Sequence, residues 1–578
     1  MTARIPASRE GPGSRRRPRL PPSLSALYLC AAAIAAAPPA PSQSKPNFLV
    51  FIVDDMGYAD LESFGATNVS TPATNRLARE GLRLTQWLSA ASVCTPSRAA
   101  LQTGRLARRL GMTADTLPIR VLSTISEPGG LPSGERTIAT ELKELGYRTG
   151  MSGKWHLGMS NETAFGAHLP PMHGYDSWLG IPFTNMHACA ATHLPAPSAY
   201  FCLLMANTTV VQQPFAAQNM TSELTRHALD FLEWGGRQGS SAGQRRQPFF
   251  FMFNFLHVHT PLFSAPAFTN VSAGGKFGDN VEEMDDAVGQ VLAKLDELGL
   301  ANDTLVLLTS DNGPFAEEGW DNVGRVGGLA GSKGQTWEGG IRMPGLARWP
   351  GRIAAGAVTD ALVGTLDVFP TLLALAGGAP RADRVYDGAD MAGVLFAPDP
   401  AAAPSAHDFM WHYCGNNVTA ARHVVKTTAT AADGTTTVST RTLKLHFATQ
   451  VWKSDKNPSP LCIQCCPNNT LHSKVGSMCE CDVAALTLHV PPLIFDMDLD
   501  RNESSPLRPE LFPGGRDAFH AEVELVRRAL ADHYATITPA PDQMRMLPNN
   551  SLQPCCTGGP WDANACLCDT YAPGQAYP

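Results

Sequence analysis

The chain has 578 residues, of which 44% are apolar and 17% charged, and a formal net charge of -7. The length exceeds one small domain and calls for two or more, and the composition is that of an ordinary globular protein. The acidic balance argues against a nucleic-acid binder, which would carry a basic surface, and leaves the ligand class to be read from local sites.

Residues 1–42 read as a signal peptide: Arg15, Arg16, Arg17 and Arg19 precede an apolar run at 24–37 that is too short for a comfortable membrane span and ends in small residues and prolines. No later run is long and apolar enough to cross a bilayer, so no transmembrane segment is expected. From Pro46 onward, short apolar runs alternate with amphipathic stretches, the pattern of a βα sheet protein. The run at 48–53 is apolar throughout, as a strand covered on both faces should be, and Asp54-Asp55 follows it. Thr71-Pro72 predicts a helix start with a hydroxyl cap, closed by Gly81; Thr137 predicts a second capped helix ending at Gly146. The run at 249–255 reads as a buried strand. Val281, Met284, Val288, Val291, Leu295 and Leu298 recur at helical spacing up to Gly299, and a strand at 304–309 leads into Asp311-Asn312-Gly313.

These elements predict an α/β domain with a largely parallel sheet sandwiched by helices over 46–400, its last element near Gly378. Residues 398–405 are rich in proline and alanine and read as a linker or long loop. Beyond it, β-like runs at 442–449 and 492–497 and a helix at 516–534 predict a smaller α+β domain over 401–578 with a Cys-rich tail. Of the 14 cysteines, Cys30 leaves with the signal peptide and Cys94 belongs to a separate motif, leaving twelve. Adjacent pairs such as Cys465-Cys466 and Cys555-Cys556 favour disulfides over the zinc site that Cys462-x-x-Cys465 would allow. Sequons begin at Asn68, Asn161, Asn207, Asn219, Asn270, Asn302, Asn417, Asn468, Asn502 and Asn549, which fits a glycosylated secretory protein.

The chemistry gathers at strand ends. Ligands of open parallel sheets bind beyond the carboxyl ends of the strands, so Asp54, Asp55, Asp311 and Asn312 can converge there as oxygen ligands suited to calcium or magnesium. Cys94-Thr95-Pro96-Ser97-Arg98, followed by Thr103-Gly104-Arg105, places a cysteine at a helix start, where an anion is favoured, with Arg98 returning to the same face. A bare thiol there is expected to have a low pKa and to act as a nucleophile or redox group.

C-x-P-x-R followed by T-G-R resembles the signature of the type I sulfatases, in which the cysteine is converted to formylglycine. The blocks PNFLVFIVDDMGYAD at 46–60, GKWHLG at 153–158, TSDNGP at 309–314 and GSKGQTWEGGIR at 331–342 resemble family blocks in the family's order. The segment at 179–182 and the tail cysteines are most similar to the arylsulfatase A group. The resemblance implies an alkaline-phosphatase-like fold and hydrolysis of a sulfated small molecule, lipid or glycan. It implies one calcium ion, rather than magnesium, on Asp54, Asp55, Asp311 and Asn312, and a formylglycine-generating enzyme acting on Cys94 during maturation. Arg98 and Lys154 would stabilise the diol oxygens, and His156 would accept a proton as the covalent sulfo-enzyme collapses. His259 and Lys333 would bind the leaving-group side, with His259 as the acid, chosen over His257 because His259-Thr260-Pro261 matches the family's H-x-P. Thr184 stands where a serine is usual, keeping a hydroxyl for sulfate. Gln102 replaces a usual leucine inside the modification motif. The implied destination is the secretory pathway: lysosome, vacuole or the extracellular space; a homo-oligomer is left open. Two other readings compete: a phosphodiesterase or phosphonate monoester hydrolase of the alkaline phosphatase superfamily, some of which share the cysteine motif, and an inactive glycoprotein that uses the fold as a binding module.

Overall fold

The computed structural model describes residues 45–569, apart from 116–119, 124, 186–201, 238–245, 317–321, 431–435, 451–480, 484–485, 539, 557–565 and 567. The signal-peptide expectation and the Cys462-x-x-Cys465 alternative therefore lie outside the described residues.

Strand β1 (Asn47–Val53) is buried along its whole length, as its unbroken apolar run requires. It belongs to a sheet with β2 (Leu82–Leu88), β3 (Arg148–Gly153), β4 (Ser177–Gly180), β5 (Leu204–Ala206), β6 (Thr209–Gln213), β7 (Phe249–Asn254), β8 (Thr304–Ser310), β9 (Arg342–Arg348), β10 (Ala357–Thr359) and β11 (Val363–Gly364). The strand order is β10-β2-β9-β8-β1-β7-β3-β4-β5-β6, with β11 beside β2. The centre, β8-β1-β7-β3-β4, is parallel. The flanks are not: β9 runs antiparallel to both β8 and β2, and β4-β5-β6 is an antiparallel meander. The sheet is thus mixed, with the expected parallel character at the centre, where the strand ends carry the site.

Alternate residues of β1 face opposite layers, because strand side chains alternate. Phe48, Val50 and Ile52 pack with Ala99 and Leu101 of helix α2 (Cys94–Thr103), with Ile138 and Leu142 of α3 (Ile138–Glu144), and with Phe369. Leu49, Phe51 and Val53 pack with Leu224 and Ala228 of α4 (Ala217–Arg237) and with Met284 and Val288 of α5 (Gly275–Glu297). Helices therefore cover both faces, and truncating a central side chain such as Phe51 would cost about 3–5 kcal/mol.

The helix cap expected from Thr137 is present: its hydroxyl accepts the Thr140 N–H. The one expected from Thr71 is not. The Thr71 hydroxyl takes the Glu62 N–H instead, and the free N–H groups of the helix Pro72–Glu80 are capped by Asp285, whose carboxylate accepts from Ala73 and Thr74 at 2.8 Å. A carboxylate accepts two such donors more strongly than a hydroxyl accepts one, and it is favoured at a helix N-terminus.

The C-terminal region forms a separate antiparallel sheet, β12 (Phe409–Cys414), β13 (Asn417–Thr430), β14 (Thr436–Gln450) and β15 (Leu486–Asp496), in chain order. Ala421, Leu443, Leu445 and Ile494 of this sheet pack on Phe519, Val523 and Val526 of the helix Gly515–Ala535. The segment expected to be a linker contains a short helical turn, Pro400–Ala402. The tail returns to the first sheet, where β16 (Cys568–Asp569) pairs with β6. Disulfides join Cys414 to Cys481, Cys555 to Cys566 and Cys556 to Cys568, and Cys202 is also bonded. Cys94 is the one free cysteine among the described residues.

Candidate active site

Four strand ends and one long loop converge on Cys94. Asp54 and Asp55 follow β1, Lys154 and His156 follow β3, His259 lies beyond β7, and Asp311 and Asn312 follow β8. Because these strands are parallel and adjacent in the order β8-β1-β7-β3, their following loops open on the same edge. Cys94 begins α2, whose N-cap is Val93, and is 1% exposed. Its Sγ lies 3.7 Å from an Asp54 oxygen and 3.8 Å from an Asp55 oxygen.

Cations and carboxylates alternate around it. Lys154 Nζ reaches Asp54 at 2.6 Å, and Arg98 bridges Asp54 at 3.3 Å and Asp311 at 2.8 Å. Lys333 Nζ reaches Asp55 at 2.6 Å, with His259 Nε2 at 3.6 Å from the same oxygen. Asn312 Nδ2 donates to the other Asp55 oxygen at 2.6 Å. Three carboxylates are thus balanced by three cationic side chains, so any further cation makes the site net positive and favours an anionic ligand.

The charge states follow from burial and neighbours. Burial pushes Asp311 up to about 6 against the pull of Arg98. Burial acts on Asp54 too, yet Lys154, His259 and Arg98 together hold it well below the usual carboxylate range. Burial lowers Lys333, but Asp55 and its neighbours raise it further, so it stays protonated. Burial takes His259 down to about 4, Lys333 adding to the effect and Asp55 opposing it. Burial also holds His156 well below its ordinary value, reinforced by Lys154. The His156 Nε2 meets the Leu122 carbonyl at 2.8 Å, so the proton is assigned there, and the buried Nδ1 has no hydrogen-bond partner. A neutral imidazole with an open Nδ1 is equipped to accept a proton.

The thiol departs from expectation. A helix start suggested a low pKa, but burial pushes Cys94 up by more than Lys154 and Lys333 pull it down, with Asp311 and Asp54 adding smaller upward contributions. An unmodified Cys94 is therefore un-ionised at neutral pH and poorly suited to attack.

The donor set fits a hard cation. Oxygens of Asp54, Asp55 and Asp311 and the Cys94 Sγ lie within 4.8 Å of one another, and the Asn312 Oδ1 is buried without a hydrogen-bond partner. Oxygen donors of this kind suit calcium or magnesium. Strain also concentrates here: Asp55 and His156 adopt left-handed φ values of 59° and 61°, a conformation that costs about 1 kcal/mol or more and persists only where packing enforces it.

Of the remaining expected residues, Thr184 is half-buried and its Oγ1 has no hydrogen-bond partner. His257 is bonded to the Thr221 hydroxyl at 2.8 Å and lies near Glu283 at 3.4 Å, whereas His259 is the histidine beside Asp55. Gln102 sits inside α2 beneath the site, taking the Tyr175 hydroxyl at 3.0 Å. Sequence reasoning missed Ser310, whose hydroxyl accepts the Met56 N–H at 3.0 Å and shares its one proton between the main-chain carbonyls of Val53 and Asn312, tying the two acidic loops together. A serine at a strand end carries no signal of such a role. Phe315 and Val121 pack with Cys94 and Val93, forming an apolar wall beside it.

Known proteins are similar to this chain over nearly its whole length. Residues 46–379 match the Sulfatase family, and residues 405–568 match the C-terminal region of aryl-sulfatase. The steryl-sulfatase of Rattus norvegicus is 37% identical, the match covering 90% of this chain and 92% of that protein. Arylsulfatase A of Bos taurus is 35% identical over 92% of this chain and 96% of its own. A crystal structure of a sulfatase from Pseudoalteromonas sp. superposes with a TM-score of 0.65 at 26% identity, covering 87% of this chain and 92% of that one. The chain belongs to the sulfatase family, enzymes that hydrolyse sulfuric esters.

Proposed function

We propose that the protein hydrolyses sulfate esters to an alcohol and inorganic sulfate, with Cys94 oxidised to formylglycine by a formylglycine-generating enzyme. The observation that supports this best is the position of Cys94: a buried helix start, within 4 Å of Asp54 and Asp55 and ringed by Arg98, Lys154 and Lys333. The buried thiol is a poor nucleophile, whereas a hydrated aldehyde offers two hydroxyls. One attacks sulfur to give a covalent sulfo-enzyme; the second loses its proton to His156 and expels sulfate.

Arg98 and Lys154 steady the diol oxygens from positions already fixed by Asp54 and Asp311. Lys333, His259 and the unpartnered Thr184 hydroxyl take the ester oxygens; the anionic sulfate raises His259 from its low value in the free site, and His259 or the protonated Lys333 supplies the proton to the departing alcohol. A calcium ion on Asp54, Asp55, Asp311 and Asn312, preferred to magnesium on the family resemblance, would neutralise charge on the sulfate oxygens. The substrate is a sulfated small molecule, lipid or glycan. The sequon asparagines among the described residues are all half-buried or exposed, which suits glycosylation in the secretory pathway and delivery to a lysosome, a vacuole or the exterior.

Two measurements test this reading. The peptide containing Cys94, from protein made in an oxidising secretory route, should be roughly 18 Da lighter than its thiol form. Fully active protein carrying only unmodified cysteine would sink the mechanism. Turnover of nitrophenyl sulfate should exceed that of the corresponding phosphate esters; the reverse would favour the phosphodiesterase reading.

A further inference from the structure

The loop that carries Lys333 is held from four directions through main-chain groups. Lys333 N–H donates to the Pro314 carbonyl at 2.9 Å, and Gly334 N–H donates to the Ser92 carbonyl, two residues before Cys94, at 2.7 Å. The Gly334 carbonyl accepts two donors, Arg120 Nη2 at 2.7 Å and Gln450 Nε2 at 2.7 Å. Both lone pairs of that oxygen are therefore used, one by a charged donor. Gly334 itself has φ of +89°, a conformation that a glycine peptide enters and leaves readily.

Both donors are nearly inaccessible: Arg120 is 2% exposed and Gln450 4%. They are themselves fixed from the second sheet. Gln450 ends β14 and also contacts Cys414 Sγ at 3.0 Å, and Arg120 contacts the sulfurs of Cys414 and Cys481. The Cys414–Cys481 disulfide thus backs both donors.

We propose that Gln450 and Arg120 are positioning residues for the reaction, orienting the Gly334 peptide so that the Lys333 ammonium meets Asp55 and the ester rather than swinging away. A lysine ammonium rides on a long flexible stem, so its mean position follows the orientation of its own backbone. The Gly334 peptide, free of any Cβ constraint, keeps one orientation because two donors pin its oxygen. The inference rests on the reading that Lys333 contacts the substrate. It assigns to the C-terminal sheet a share in catalysis that its distance from Cys94 in sequence conceals.

The test is a double-mutant cycle with an activated aryl sulfate. Gln450→Met keeps the shape and removes the donor; it should lower kcat about tenfold with KM within about twofold, because an interaction that orients a catalytic group acts mainly on the chemical step. In a Lys333→Ala background the same substitution should cost less than about twofold, since the group being positioned is gone. Arg120→Lys, which keeps a charged donor, should retain more activity than Arg120→Met, and it runs in both backgrounds should Gln450→Met fail to fold. Melting temperatures and calcium content accompany each rate. Equal losses from Gln450→Met in both backgrounds, or no loss in either, would overturn the proposal while leaving the Lys333 reading intact. An unaffected Lys333→Ala enzyme would overturn the Lys333 reading and this inference with it.

Discussion

The Lys154 ammonium lies 2.6 Å from the Asp54 carboxylate, with both side chains completely buried. Arg98 approaches the other Asp54 oxygen at 3.3 Å, so one carboxylate is neutralised from two sides. Such a pair resists disruption less because it is strong than because either partner alone is a buried uncompensated charge. Removing Lys154 therefore tips the cluster towards net negative charge, which a bound divalent cation would relieve.

Lys154→Met should accordingly be destabilised by about 3 kcal/mol, at the low end for a broken buried pair because Arg98 remains. The loss should be larger in chelator than in calcium. Thermal unfolding of wild type and variant, each with and without calcium, checks this. Equal losses in the two conditions would show that no cation shares the charge of Asp54.

His156 and His259 should fail differently. His259→Ala should slow formation of the sulfo-enzyme, more for alkyl or sugar sulfates than for nitrophenyl sulfate, whose alcohol departs with little protonation. His156→Ala should spare that step and let the intermediate accumulate, giving a burst of alcohol before slow turnover. Rapid mixing with aryl sulfates of graded leaving-group pKa separates the two. Identical leaving-group sensitivity, with no burst in His156→Ala, would mean that the assignments are wrong.

His407 supplies a pH dependence away from the site. Burial alone would lower its pKa, but the Asp367 carboxylate at 2.7 Å outweighs it and the net shift is upward. Asp367 is completely buried and also accepts the Gly364 and Ala389 N–H groups, so the pair is held in place. A folded-state pKa above the unfolded one means that the stabilisation is complete below about 6.5 and is lost as pH rises through the folded value. The wild-type melting temperature should therefore fall between mildly acidic and alkaline buffer by more than that of His407→Asn. Parallel pH profiles for the two proteins would remove His407 from the account.

The residues whose placement depends on near neighbours in the chain were legible from sequence. Cys94 at a helix start, Arg98 one turn on, Asp54-Asp55 after β1, Asp311-Asn312 after β8, and the choice of His259 over His257 all rest on local spacing. The two faces of β1 were equally legible, because a run of apolar residues at 48–53 has to be covered on both sides.

Other features were settled by what the fold brings together. Thr71 looked like a helix cap, but Asp285, more than two hundred residues away, takes the helix N–H groups because a carboxylate outcompetes a hydroxyl there. The thiol of Cys94 looked ionisable from its place on α2, yet enclosure raises its pKa by more than the nearby Lys154 and Lys333 lower it, and enclosure is a product of packing. The bonds of Gln450 and Arg120 to the Gly334 carbonyl have no counterpart in local pattern at all. Sequence determined which groups are chemically competent; tertiary structure decided their distances, and through distance and burial their charge, because electrostatic energies depend on separation and local dielectric rather than on order along the chain.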